Sequence, residues 1–138
     1  MTPAPETSPM SLGQRGEQYI CEQLHKQGWT ILRRNFRRRS TELDILAQKG
    51  GTLIVVEVKT RRYRECRSRT SPLEERLPQR KKVALLKGAL KFLEESNLQP
   101  ETIRFDMACL EYDGEQKNPK VSYYVNLGID QSILGYDN

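Results

Sequence analysis

Apolar residues recur along this chain with two different periods, and the switches between them outline the elements. Leu12, Tyr19, Ile20 and Leu24 return at helical spacing. Ser11 stands where a cap is needed and Gly28 where a helix can end, so the pattern predicts a helix from Leu12 to Gln27. Trp29-Thr30-Ile31-Leu32 opens a strand that runs towards Phe36, and Glu42 to Ala47 reads as a second strand. After the turn Gln48-Lys49-Gly50-Gly51, Thr52 to Thr60 forms a third strand. It is apolar on both faces until Glu57, which predicts a central sheet position. Residues 61–78 have no period and many charges, so they are expected to form a long connection of the kind that often carries function. Gln79 to Glu95 reads as a second helix with Val83, Leu86, Leu90 and Leu93 on one face, broken by Asn97 to Pro100. Ile103 to Leu110 and Val121 to Leu127 alternate as two further strands around Asp113-Gly114. The predicted order is α-β-β-β-α-β-β, a mixed α/β sheet flanked by helices.

Composition narrows this reading. The chain has 138 residues, 36% hydrophobic and 30% charged, enough for one core if the apolar residues are concentrated as they are here. Residues 1–11 are rich in Pro, Ser and Thr and are expected to be a disordered lead-in to one domain spanning 12–138. No apolar run approaches the ~20 residues that cross a bilayer. Met1 to Met10 lacks the basic start and apolar stretch of a secretory signal. Cys21, Cys66 and Cys109 make no C-x-x-C pair, which argues against zinc and for a reducing, cytoplasmic setting.

The net charge of +5 hides an asymmetry. Residues 101–138 carry three basic and seven acidic side chains, whereas residues 1–100 carry 20 basic and 11 acidic ones. Fourteen of the 23 basic residues are Arg, whose planar fork suits phosphate. A basic lobe of this kind is the electrostatic footprint of a nucleic-acid partner.

Strand geometry then picks out a few residues for chemistry. Side chains two apart on a strand share a face, so Glu57 and Lys59 fall together, as do Glu42 and Asp44 on the strand before. A carboxylate directly after the apolar run Leu53-Ile54-Val55-Val56 is costly unless it is paired or coordinated. An isolated Glu57–Lys59 pair would be an ordinary ion pair at the sheet edge. With Asp44 on the adjacent strand and an Arg-rich loop following, the combination favours a Mg²⁺ or Mn²⁺ site. Asp44 and Glu57 would supply carboxylate oxygens and Val58 a backbone carbonyl. Lys59 would orient a metal-bound water or neutralise charge on a phosphodiester under attack.

These residues resemble those of the bacterial YraN-type family, whose members are similar to Holliday-junction resolvases with the PD-(D/E)xK restriction-endonuclease-like fold. The likeness runs over roughly Leu12 to Leu110. It includes Gly16-Glu17, Gly28-Trp29, Arg34-Asn35-Phe36-Arg37, Glu42-Leu43-Asp44-Ile45, Val56-Glu57-Val58-Lys59-Thr60-Arg61 and Arg104-Phe105-Asp106. The resemblance implies that Asp44 is the first acid and Glu57-Val58-Lys59 the E-x-K. It further implies that Glu17 is an additional carboxylate and Lys81 a basic contact at the start of the second helix. Thr41 departs from the family's Gly before the Glu-x-Asp segment, removing a position suited to positive φ. The loop after the third strand also lacks the usual Phe-Gly.

Other charged residues have simpler roles. The run from Arg33 to Arg39, Arg37 and Arg38 included, suits backbone phosphate contacts, as do Arg61, Arg62, Arg64, Arg67 and Arg69. Tyr63 among them can stack on an unpaired base. Arg104 and Asp106 share a strand face and are expected to pair. His25, the one histidine, is given no chemistry. Two functions therefore stand: a metal-dependent endonuclease acting on branched or flapped DNA, with a homodimer allowed, and a non-catalytic nucleic-acid-binding module of the same fold.

Overall fold

A computed structural model describes residues 9–39, 41–62, 77–114 and 118–134. The first helix, α1, spans Leu12–Lys26 and starts in a capping box. The Ser11 hydroxyl accepts from the Gln14 N–H while the Gln14 side chain accepts from the Ser11 N–H. Gly28, with φ 93°, turns the chain out of the helix. Strands β1 (Thr30–Arg38), β2 (Thr41–Lys49) and β3 (Thr52–Arg62) follow, then helix α2 (Gln79–Ser96), β4 (Thr102–Tyr112) and β5 (Lys120–Tyr124). The order α-β-β-β-α-β-β matches the pattern read from the sequence. A short 3-10 turn at Gln131–Leu134 was not anticipated.

The sheet runs β1-β2-β3-β4-β5, so β3 takes the central place its apolar run implied. β1, β2 and β3 form an antiparallel meander, β3 pairs in parallel with β4 across the α2 connection, and β5 returns antiparallel. Each face of the sheet carries one helix and one core. Leu53 and Val55 face α2 with Phe36, Leu43, Leu85, Ala89 and Phe105. Ile54 and Val56 face α1 with Ile20, Leu24, Ile45 and Ala108. Phe36 meets Phe92 edge-to-face at 5.5 Å. On α2 the buried residues are Leu85, Leu86, Gly88, Ala89 and Phe92, whereas Val83, Leu90 and Leu93 are only partly covered. The expected stripe is thus rotated: two neighbouring stripes of this helix are equally apolar, and the sheet takes the one holding Phe92.

Two close approaches set the helices on the sheet. Gly16 of α1 lies directly over Thr60, where a Cβ would collide with the threonine hydroxyl. Gly88 of α2 makes room for Thr41, whose hydroxyl donates to the Ala84 carbonyl at 2.6 Å. Thr41 therefore ties the β1–β2 hairpin to α2. The positive φ values in this hairpin fall on Asn35 (51°) and Arg39 (45°).

Asp106 is the one fully buried charged residue among those described. Arg104 donates to both its oxygens at 3.0 Å, the Tyr123 hydroxyl donates at 2.6 Å and the Asn126 N–H at 2.9 Å. The expected Arg104–Asp106 pair is present, within a larger network that fixes β5 to β4. Burial and the bond to Asp106 push the Tyr123 hydroxyl well above the ordinary tyrosine range. Among the described residues no helix is long and apolar enough to cross a membrane.

Candidate functional site

The pairing of β2 with β3 stops short, and the site lies where it stops. These strands are in register from Lys49↔Thr52 to Ile45↔Val56. Beyond that pair β2 stays with β1 as far as Thr41, while β3 stays with β4 as far as Arg62. The sheet forks, and Asp44 and Glu57 are the next residues on the two arms. The alternation of faces also breaks here: Leu43 packs towards α2, whereas Ile45, two residues on, packs towards α1. Asn35, with its positive φ, lies opposite this break in β1. Period-two reasoning cannot anticipate such a switch.

Asp44 fills the fork. Its Oδ2 accepts the backbone N–H of Val58 at 2.8 Å, a donor left without a β2 carbonyl by the separation of the strands. Val58, expected to contribute its carbonyl, thus meets Asp44 through its amide. Glu17 of α1, which Gly16 brings down against the end of β3, acts electrostatically on Asp44, and Asp44 on it. Glu57 projects to the α2 side, where Lys81 approaches its Oε1 at 3.4 Å. Its other oxygen, Oε2, is buried and has no hydrogen-bond partner among the described residues.

All three carboxyls resist ionisation. Burial and then the negative charge of Asp44 push Glu57 up to about 7, with Lys81 pulling the other way. Asp44 is raised chiefly by burial, against the lowering effect of the Val58 N–H. Glu17 is raised by burial and then by Asp44. Such a cluster favours positive charge or protons in its midst. Thr60 Oγ1 and Arg34 Nε are likewise buried without hydrogen-bond partners among the described residues. Thr60 sits under Gly16, and the Arg34 charge acts on Glu17.

A cleft of about 810 Å³ opens from Glu57 along the start of α2, with Lys59, Lys81, Arg80 and Lys87 in its lining. The structure therefore brings Asp44, Glu57, Val58, Glu17, Lys59 and Lys81 to one end of β3. Glu42 does not join them in contact: it is exposed and pairs with Arg37 at 3.1 Å. Arg38 pairs with Glu95 at 2.7 Å and lies over the Phe36 ring. These two arginines are thus already engaged, on exposed pairs that a polyanion can compete for. Arg61 and Arg62 end β3 beside the site; Tyr63, Arg64, Arg67 and Arg69 lie outside the described residues, as does Cys66. Arg80 and Lys87 were not singled out from the sequence, although their seven-residue separation on α2 was a visible signal.

The carboxylate oxygens suit a hard cation. Among the described residues no group of three or more His, Cys, Asp and Glu side chains is arranged to hold a metal ion. Mg²⁺ needs less, because it commonly takes one or two carboxylates and keeps water or substrate phosphate for the rest.

Comparison with known proteins follows the same stretch of chain. The model of the uncharacterised protein family UPF0102 matches residues 16–110, which include Glu17, Asp44, Glu57, Lys59 and Lys81. A UPF0102 protein of Trichlorobacter lovleyi is 40% identical over 123 residues, covering 84% of this chain and 88% of the relative. One of Chlorobium limicola is 34% identical over 122 residues, covering 88% and 92%. UPF0102 protein STH1475 of Symbiobacterium thermophilum is 39% identical over 100 residues, covering 72% and 81%. The chain belongs to the uncharacterised protein family UPF0102.

Proposed function

We propose that this chain is a Mg²⁺- or Mn²⁺-dependent endonuclease of the PD-(D/E)xK, resolvase-like kind, hydrolysing phosphodiesters of branched or flapped DNA. The observation that carries the reading is the buried, unpartnered Oε2 of Glu57 beside Asp44 at a fork in the sheet. A carboxylate oxygen hidden from water without a donor is expensive, and a bound cation removes the expense. Asp44 and Glu57 would hold the metal with the Val58 carbonyl. When bound, the metal supplies Lewis acidity and a water acidified towards hydroxide.

The chain's own groups do the rest. The Val58 N–H fixes the orientation of Asp44, and Glu17 adds a further carboxyl whose ionisation is tied to that of Asp44. Lys59 lines the cleft next to Glu57, where its ammonium can meet the non-bridging oxygens of a phosphate as negative charge builds on them. Lys81 partly neutralises Glu57 and lines the same cleft, where its ammonium would meet a substrate phosphate.

The test is a cleavage panel of duplex, single-stranded, flapped and four-way DNA with Mg²⁺ or Mn²⁺. The parent cleaves at least the branched members. Asp44→Ala, Glu57→Ala and Lys59→Ala each lose about 10²-fold or more in rate while still binding DNA, since affinity is spread over many Arg–phosphate contacts. Absence of cleavage by folded parent on every substrate, with DNA binding intact, would leave the binding-module reading in its place.

A further inference from the structure

The cleft beyond Glu57 carries more positive charge than the proposed chemistry uses. Of its basic lining residues, Lys81 is paired with Glu57, and Lys59 is the one the proposed chemistry assigns to the reacting phosphate. Arg80 and Lys87 have neither role. Both are exposed, and among the described residues neither takes part in an ion pair. Seven residues apart, they stand on one face of α2 with two turns, about 10 Å, between them.

The start of α2 reinforces the same field. Its N-cap is Pro78, with no side-chain hydrogen bond to the first turn and no acidic residue there. Among the described residues no side chain caps this first turn, so the positive end of the helix dipole adds to the field in the cleft. Each strand of a duplex carries one phosphate per ~3.4 Å of axis, so about 10 Å corresponds to backbone phosphates roughly three steps apart.

We infer that Arg80 and Lys87 form a phosphate track. The strand whose phosphodiester lies at Glu57 and Lys59 continues along the first turns of α2, and these two side chains hold its backbone. The inference rests on the endonuclease reading and adds the path of the substrate strand to it. Contact is with phosphates alone, so it is blind to base sequence.

The experiment measures the salt dependence of binding of the full chain to a fluorescently labelled flap DNA in EDTA. Arg80→Gln/Lys87→Gln lowers the slope of log K against log salt by about 1.8 if duplex is held and about 1.4 if single strand is held. Its melting temperature stays that of the parent. With Mn²⁺ its KM for the flap rises while kcat is retained. Lys26→Gln removes one charge beside Gln27 and Gly28, which lie against Lys49 at the other end of β3, and leaves the slope unchanged. A parental slope in the folded double variant overturns the track and leaves the endonuclease reading standing. An equal loss per charge in Lys26→Gln also overturns it, because the effect is then diffuse. A parent that does not bind DNA overturns both.

Discussion

The backbone amide of Val58 donates to Oδ2 of Asp44 at 2.8 Å, so the acid on β2 is held by the strand that bears Glu57 and Lys59. The contact bridges the fork where the two strands part company. It makes the site a property of tertiary structure: neither strand alone would place the two acids together.

This bond separates two substitutions at one position. Asparagine keeps an oxygen for the Val58 N–H, whereas alanine leaves that amide without a partner. Asp44→Ala is therefore expected to be less stable than Asp44→Asn by about 1–3 kcal/mol in EDTA, read from urea midpoints at equal m. Equal stabilities would show that the Val58 bond contributes nothing.

The acids also set a pH dependence for the metal-free protein. Glu57 titrates near 4.5 when unfolded and at about 7 in the fold. Between those values the folded state binds more protons than the unfolded one, so stability falls as pH rises through the window and levels off above it. Glu17 and Asp44, both raised, push in the same direction. Glu57→Gln removes its share of this loss. In EDTA the variant should match the parent near pH 4.5 and gain on it as pH approaches 8, by up to about 3 kcal/mol. Melting temperatures of both proteins across that range decide the matter, and a gap that does not grow with pH would refute the assignment.

Helix α1 depends on the bare Cα of Gly16. Gly16→Ala drives a methyl into the Thr60 hydroxyl, which has no hydrogen-bond partner to lose. The single change should cost about 1–3 kcal/mol. Adding Thr60→Ala removes the colliding hydroxyl and leaves only a tight contact with the Cβ at 60. The double variant should therefore regain part of the loss, whereas Thr60→Ala alone should be near neutral. A double-mutant cycle by chemical denaturation measures the coupling, and simple additivity would mean that the contact is not what seats α1.

Asp106 offers a stability test remote from the fork. Tyr123→Phe deletes one donor to a buried charge and should cost about 1.5–3 kcal/mol. Arg104→Met strips the charge partner and should cost about 3–5 kcal/mol. Unfolding midpoints at constant m read both, and a smaller loss for Arg104→Met than for Tyr123→Phe would contradict the bidentate pair as the main support.

Much of this architecture was legible in the residues, for identifiable reasons. The run Leu53 to Val56 is apolar on both faces, which only a covered central strand tolerates, and β3 is that strand. Ser11 and Gly28 mark the ends of α1 by chemistry that acts within a few residues. Glu57 and Lys59 could be named because they follow an apolar run at strand spacing, and Asp44 because it shares an acidic E-x-D segment on the strand before. The rest needed three dimensions. Pairing of Glu42 with Arg37 depends on hairpin register, and the switch of faces at Asp44 breaks the period on which their expected association rested. Tyr123 reaches Asp106 across the β4–β5 pairing, 17 residues away in sequence. On α2 the covered stripe was decided by the sheet beneath it.

The central claim is that Asp44 belongs to a metal site, and one pair of proteins tests it without a substrate. In EDTA the charge of Asp44 acts on both Glu57 and Glu17, with Lys81 as partial relief at Glu57. Asp44→Asn keeps the acceptor for Val58 and removes the shared charge, so its melting temperature should equal or exceed that of the parent. Millimolar Mn²⁺ should raise the parent's melting temperature by stabilising only the state that binds it, and should leave Asp44→Asn where it was. Had Asp44 instead a purely structural ion-pair role, asparagine would lower the melting temperature in EDTA and Mn²⁺ would move neither protein. That outcome would contradict the metal site outright.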